Sequence, residues 1–119
     1  DRILANDSYS GAVSERVVQL LLLSGSEFPT AAAVAQQMYM SESTLQRRLT
    51  REGTRFQPLL DQVRYRLALE YLQGTDLPAA EIAALLGFNN SANFRRSFKR
   101  WSGTTPLHIR QAKITASTL

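Results

Sequence analysis

Two arginines occupy matching positions in two segments that have helical periodicity, and both could contact nucleic-acid bases. Arg47 lies in a predicted helix over residues 42–51, and Arg96 lies in another over residues 91–101. A guanidinium group can donate two hydrogen bonds to O6 and N7 of guanine, and the amide of Gln46 can pair with N6 and N7 of adenine. We therefore expect base contacts from these side chains, with phosphate binding or an internal ion pair as the alternative for the arginines.

Smaller polar side chains on the same two segments are further candidates for base contacts. Hydroxyl and amide groups can donate and accept hydrogen bonds in a groove of the duplex. For Gln46 the alternative is a solvated helix position, and for Ser91 it is an N-cap role at the start of the second segment combined with a contact to the nucleic-acid backbone. These candidates are Ser43, Thr44, Asn93 and, as a possible N-cap, Ser91.

Five more cations lie on or beside these segments, and their positions suit phosphate binding better than base reading. Contacts to phosphate oxygens supply much of the affinity for DNA and fix the register of the protein on the duplex. The alternative is a solvated basic face. The predicted phosphate contacts are Arg51, Arg55, Arg95, Lys99 and Arg100.

The charge is distributed unevenly along the chain. The 119 residues carry 14 basic and 10 acidic side chains, which gives a formal net charge of +4. Residues 41–113 hold 12 of the basic and 6 of the acidic side chains, whereas the first 40 residues are net acidic. A basic region of this kind indicates a polyanionic partner, and a surface selected for solubility is the alternative.

Several classes of site are excluded or disfavoured by composition. The chain has no cysteine, which excludes disulfides, thiolate nucleophiles and cysteine-bound zinc. His108 is the single histidine and has no nearby carboxylate in the sequence, so we expect neither a metal site nor acid–base catalysis. No glycine-rich phosphate loop is present. We expect no cofactor and no enzyme activity.

A helical unit is repeated at an offset of about 49 residues. Predicted core positions match core positions and basic positions match basic ones, and agreement at so many sites indicates one helical unit used twice. The clearest pairs are Leu45 with Phe94, Arg47 with Arg96, Leu49 with Phe98 and Arg51 with Arg100.

Each copy of the repeat has the pattern of a short helix, a tight turn and a second helix with a basic outer face. Such a pattern is typical of a helix-turn-helix. In the first copy Ser41 is predicted to cap the helix over 42–51. In the second, Asp76 is predicted to cap a helix that starts near Pro78, and the helix over 91–101 is predicted to bury Trp101 together with the two phenylalanines of the repeat.

A single long helix is predicted between the two copies, from Phe56 to Gln73, and its length would be about 26 Å. Successive major grooves lie about 34 Å apart, so this helix could hold both copies on one side of a duplex. The sequence thus predicts an all-α fold of about seven helices, organised as a first helix-turn-helix subdomain (1–54), a linker helix (55–74) and a second subdomain (75–119).

Residues 31–110 resemble the DNA-binding domain of the AraC/XylS family of bacterial transcription regulators. The motifs are Ile82-Ala83, Leu86-Gly87-Phe88, Phe94, Arg96, Phe98-Lys99-Arg100 and Gly103-Thr104-Thr105-Pro106. The resemblance implies two helix-turn-helix subdomains that read adjacent major grooves, in an activator or a repressor. It also implies base-reading positions at Ser43, Gln46, Arg47, Ser91, Ala92, Asn93 and Arg96.

Two residues depart from the family pattern. Ala92 can contact a thymine methyl group but cannot form hydrogen bonds with a base. Tyr39 stands in the first turn, where the family commonly has glycine, so this turn is predicted to be strained or differently shaped.

The chain begins with Asp1 rather than Met, and we expect it to be part of a longer cytoplasmic protein. The resemblance implies RNA polymerase as a further partner, with effector binding and dimerisation in an N-terminal region outside this chain. No membrane association is expected, because the longest apolar run, Leu20 to Leu23, is far too short to span a bilayer. The alternative to a DNA-binding function is a helical protein-interaction adaptor.

Overall fold

The chain is helical over the residues that the structure describes. In the computed structural model these are residues 12–25 and 27–118, with side chains described for 13–25 and 27–112. The seven helices of this part are α1 (Ala12–Leu23), α2 (Ala31–Gln37), α3 (Glu42–Arg51), α4 (Phe56–Gly74), α5 (Ala79–Leu85), α6 (Ser91–Ser102) and α7 (Pro106–Thr118). The predicted all-α class is confirmed. Within the described ranges, none of these helices combines the length and apolar character that crossing a membrane requires.

The long helix α4 is shared between two units of the chain. The first unit, unit 1, ends at Val63, and the second, unit 2, begins at Arg64, so the division falls inside α4. The first half of α4 contributes the buried side chains of Leu59 and Val63, and the second half contributes Ala68 and Leu72 to the core of unit 2. Unit 1 therefore contains α1 to α3 and half of α4, and unit 2 contains the other half followed by α5 to α7.

The core of unit 2 is built around two phenylalanines of α6. Phe94 and Phe98 are fully buried, and their rings lie 5.8 Å apart at a steep angle. They pack with apolar residues of the second half of α4, with Ile82 of α5 and with Leu86, the C-cap of α5. Trp101 was predicted to be buried with them, but it is only half-buried. It lies at the edge of the core, against the rings of Tyr65 and Phe88.

The matching helix of unit 1, α3, packs into the core of that unit through two leucines. Leu45 and Leu49 of α3 are fully buried, and α3 packs against both α1 and α2. A spacing of four residues places two side chains on one face of a helix, so burial of this pair turns the opposite face of α3 outward. The repeat predicted this correspondence between Leu45 and Phe94 and between Leu49 and Phe98.

The turns that precede α3 and α6 have the same backbone shape despite different residues. Tyr39 has φ 61° and its counterpart Gly87 has φ 83°. One hydrogen bond recurs at both turns, with N···O distances of 3.0 Å for Met40 to Ala35 and 2.9 Å for Phe88 to Ala83. Of the two options that the sequence left open for Tyr39, strain is the one observed, because the side chain of an L-residue disfavours this left-handed conformation.

Tyr39→Gly is expected to raise the free energy of unfolding by about 0.5–1 kcal/mol. Removing Cβ relieves the left-handed strain, and the greater freedom of glycine in the unfolded chain offsets part of the gain. Little packing is lost because the side chain is 95% exposed. Urea denaturation measures the change. Tyr39→Ala keeps Cβ and is the control; an equal gain in both variants would show that backbone strain is not the cause.

Two predicted helix caps are corrected by the structure. The N-cap of α5 is Pro78, which has an extended backbone, and this helix start has no side-chain cap hydrogen bond; Asp76, the predicted cap, stands two residues before it. The N-cap of α6 is Asn90, because its Oδ1 accepts a hydrogen bond from Asn93 N at 2.8 Å. Ser91 is therefore the first helical residue and not the cap. Ser41 caps α3 as predicted, accepting from Thr44 N.

One basic residue of α7 closes the carboxyl end of α4. The guanidinium of Arg110 donates hydrogen bonds to the carbonyl oxygens of Leu72, Tyr71 and Thr75, at 3.2, 3.4 and 3.1 Å. The last carbonyls of a helix have no intrahelical donor and carry partial negative charge, so a cation is well placed there. Arg110 thus has a structural role in unit 2.

Arg110→Ala is expected to lower the free energy of unfolding by about 1–2 kcal/mol. The charge-assisted hydrogen bonds of the guanidinium are lost, and the carbonyl oxygens at the end of α4 must form hydrogen bonds with water instead. The change is measured by urea denaturation followed by circular dichroism. Gln111→Ala is the matched control because Gln111 is the next residue of α7 and is exposed. Equal stability of the two variants would argue against the capping role.

Candidate nucleic-acid interface

The outward face of α3 carries polar and basic side chains. Burial of Leu45 and Leu49 leaves the opposite side of the helix to solvent, and Arg47 points directly away from the buried pair. Ser43, Gln46 and Arg51 are exposed and Thr44 is half-buried. All five candidates that the sequence placed on this helix are thus brought together on one surface of unit 1.

The outward face of α6 is more strongly basic. Arg95, Arg96, Lys99 and Arg100 are all exposed, and the helix of 12 residues contains no acidic residue. The smaller candidates stand at its amino end, where Ser91, Ala92 and Asn93 are half-buried. Six of the seven candidates share the outward face of α6, and a surface of this charge attracts an anion. Ser91 lies seven residues before the buried Phe98 and so stands toward the core side of the helix.

None of the predicted DNA-contacting cations has a carboxylate partner among the described residues. Arg66 and Glu70 of α4 form an ion pair in that part of the chain, with an N···O distance of 3.6 Å, and neither is among these cations. Among the described residues, then, neither Arg47 nor Arg96 forms the internal ion pair that the sequence left as an alternative. The cations concerned are Arg47, Arg51, Arg55, Arg95, Arg96, Lys99 and Arg100.

Short-range hydrogen bonds organise both faces. Arg47 Nη2 donates to Thr44 Oγ1 at 3.5 Å, and Arg96 Nη2 donates to Asn93 Oδ1. Two further bonds join residues one helical turn apart: Gln46 Nε2 donates to Glu42 Oε2 at 3.3 Å, and Arg95 Nη1 donates to Ser91 Oγ at 3.3 Å. The side chains at the amino halves of both helices are therefore partly ordered by their own helix.

A charged side chain anchors each outward-facing helix to its unit. Glu52, the C-cap of α3, accepts hydrogen bonds from the backbone N–H groups of Val13 and Ser14 at 3.3 and 3.1 Å, and so caps the start of α1. In unit 2, Arg64 Nε donates to Leu86 O at 2.9 Å, in the turn before α6. Its guanidinium also lies 4.8 Å from the ring centroid of Phe88.

Two further arginines are exposed at the end of α3 and in the segment that follows it. Arg55, a predicted phosphate contact, is exposed and immediately precedes α4. Arg48 is exposed in the last turn of α3 and was not among the sequence candidates. Its counterpart in the repeat is Ser97, so the repeat gave no signal for a cation at this position.

An open groove of about 750 Å³ lies elsewhere in unit 1. It is lined by apolar residues such as Leu20, Met38 and Leu59 and by polar ones such as Glu15 and Gln62. No candidate DNA contact lines it. Groups of three or more metal-ligating side chains are absent from the described residues. Among the described residues, most of the cations predicted to contact DNA thus lie on the outward faces of α3 and α6, and Arg55 lies between α3 and α4.

Comparison with known proteins gives a consistent set of relatives. A family model described as a helix-turn-helix domain matches residues 34–112. The ornithine utilization regulator of Pseudomonas aeruginosa is 44% identical over 112 residues, which are 94% of this chain and 33% of that protein. The chain therefore spans about a third of the length of the curated relatives that it matches.

Solved structures of the same kind superpose on the chain. The transcriptional regulator CdpR from Pseudomonas aeruginosa matches with a TM-score of 0.80 and 37% identity, covering 86% of this chain and 32% of that one. The DNA-binding domain of AdpA, a global transcriptional factor, was solved in complex with a target DNA. It matches with a TM-score of 0.71 and 29% identity, covering 83% of this chain and 90% of that one.

Proposed function

This chain belongs to the AraC-type helix-turn-helix family, and from that membership we propose that it binds double-stranded DNA with sequence specificity, as the DNA-binding portion of a bacterial transcription regulator. The observation that carries the proposal is the pair of matched outward faces on α3 and α6. Both present exposed cations that lack carboxylate partners among the described residues. The complex formed by the AdpA domain with DNA supports the same conclusion.

The proposed mode of binding places α3 and α6 in adjacent major grooves. A recognition helix that enters a groove presents the side opposite its buried face, and this is where Arg47 and Arg96 point. Residues near the amino ends, Ser43, Thr44, Gln46, Ser91, Ala92 and Asn93, are then close to base edges. The cations toward the carboxyl ends and flanks, together with Arg55, bind phosphates.

The wider role of the protein follows from its relatives. We propose no enzyme activity, because the relatives are named as regulators. We also propose that RNA polymerase is a partner and that effector binding and dimerisation belong to a region outside this chain. Because the proposed ligand is bacterial chromosomal DNA, the proposed location is the cytoplasm.

Selection of bound duplexes from a random library at two salt concentrations tests the proposal. Enrichment of a two-part motif, with halves about one helical turn apart, is the expected result if both outward faces read bases. Affinity should fall steeply with salt because phosphate binding releases counterions.

Enrichment of a single short half-site would mean that only one helix reads bases and the other positions the chain. Absence of binding at both salt concentrations would overturn the DNA-binding function. The adaptor alternative would then be favoured, with the open groove of unit 1 as the surface to examine.

A further inference from the structure

Arg47 of α3 and Arg96 of α6, which point directly away from the buried side of their helices, are each hydrogen-bonded to the residue three positions before them. In unit 1, Thr44 Oγ1 accepts from Arg47, and in unit 2, Asn93 Oδ1 accepts from Arg96. The two acceptors, like the two arginines, are 49 residues apart in the repeat. The same arrangement therefore occurs twice, with a hydroxyl oxygen in one unit and an amide oxygen in the other.

Each acceptor is itself held by the N-cap of its helix. Thr44 N donates to Ser41 Oγ at 3.1 Å, and the Ser41 hydroxyl donates in turn to Thr44 Oγ1 at 2.9 Å. In unit 2 the Asn93 N–H is fixed by Asn90 Oδ1. Both acceptors stand at the third residue of their helix, and both arginines stand at the sixth. The N-cap thus fixes the backbone from which the acceptor reaches the arginine.

We infer that Thr44 and Asn93 are positioning residues, which hold the guanidinium groups of Arg47 and Arg96 ready to read a base. The inference rests on the proposed function and refines the prediction that these two residues contact bases themselves. In each unit, the arginine then contacts the base and the acceptor, Thr44 or Asn93, acts by holding that arginine in place.

The physical reason lies in the flexibility of arginine. Ordering a long side chain at an interface costs conformational entropy, and a side chain that is already ordered avoids much of this cost. A guanidinium has five N–H donors, so a bond to the neighbouring acceptor leaves enough donors for a bidentate contact with guanine. An unheld arginine could instead swing to a phosphate, and phosphate contacts do not distinguish one sequence from another.

The inference is tested by measuring the preference for each base at the position where Arg96→Ala abolishes selectivity. Asn93→Ala is expected to reduce the preference for guanine at that same position by about 2- to 10-fold, the equivalent of ordering one flexible side chain. Asn93→Thr copies the acceptor of unit 1 and is expected to retain most of the preference. Ser97→Ala removes a hydroxyl elsewhere on α6 and should leave the preference unchanged.

A double-mutant cycle separates positioning from direct reading. In the Arg96→Ala background, Asn93→Ala should cause no further loss of selectivity, because its effect passes through the missing arginine. A change at a different base position, or an undiminished effect in that background, would overturn the inference and make Asn93 a reader in its own right.

A measurement without DNA tests the same contact independently. The NMR order parameter of the Arg96 Nε–H group in the free chain is expected to fall in Asn93→Ala and to be retained in Asn93→Thr. Equal order in Asn93→Ala and the parent chain would overturn the inference. Failure of the parent chain to bind any duplex would overturn the proposed function, whereas this measurement would still show whether the arginine is held.

Discussion

Phe98→Ala is expected to lower the free energy of unfolding by about 3–5 kcal/mol, the usual cost of removing a buried phenylalanine ring. Phe98 is fully buried in the core of unit 2, and its ring contacts those of both Phe94 and Tyr65, with centroid distances of 5.8 and 5.6 Å. Because domains are stable by only about 5–15 kcal/mol, this loss is a large fraction of the total. Urea denaturation followed by circular dichroism at 222 nm measures it.

The matched control is Leu49→Ala, at the corresponding position of unit 1, which is also fully buried. Leucine truncation costs about 2–5 kcal/mol and removes no ring-to-ring contact, so a smaller or similar loss is expected. A change below about 1 kcal/mol for Phe98→Ala would indicate that the core of unit 2 can collapse around the missing ring, contrary to the tight packing described for α6.

Arg96→Ala is expected to weaken binding to the selected site by about 1–3 kcal/mol and to relax the preference at one base position. The reason is that the guanidinium points away from the buried side of α6 and has no carboxylate partner among the described residues. Binding to the selected duplex and to duplexes altered one base at a time measures both quantities.

Arg100→Ala provides the contrast, because the same charge is removed from a position in the last turn of α6. It is expected to weaken binding about equally on all sequences and to reduce the slope of log affinity against log salt by about 1. If both variants lost affinity evenly across sequences, the division of α6 into a reading arginine and a phosphate-binding arginine would be wrong.

Local features of the fold could be predicted from the sequence because their causes are local. The bounds of α3 agree with the prediction, since Ser41 is a good N-cap and the buried leucines recur at helical spacing. The resemblance to the family marks Tyr39 as unusual in a turn that commonly holds glycine, and its positive φ confirms the strain. The cap of α6 was misplaced by one residue because asparagine and serine are both favourable N-caps and stand side by side.

Features that depend on distant contacts could not be predicted. Arg64 and Arg110 were read only as part of the basic region, yet their guanidinium groups bind carbonyl oxygens 22 and 38 residues away. The half-exposed position of Trp101 depends on rings that α4 and the turn after α5 supply. The candidate contacts with DNA stay predictions, since side-chain types alone do not fix how a helix enters a groove.

The sharing of α4 between the two units has a consequence for how the chain unfolds. In the interior of a helix each N–H is hydrogen-bonded to the carbonyl four residues before it, and α4 runs unbroken through Val63 and Arg64. If either unit unfolded alone, these bonds would break and a new, uncapped helix end would form inside α4. A coil between domains would impose no such penalty. We therefore expect unfolding to be cooperative across the whole chain. A destabilising substitution in either unit should then shift one common unfolding transition.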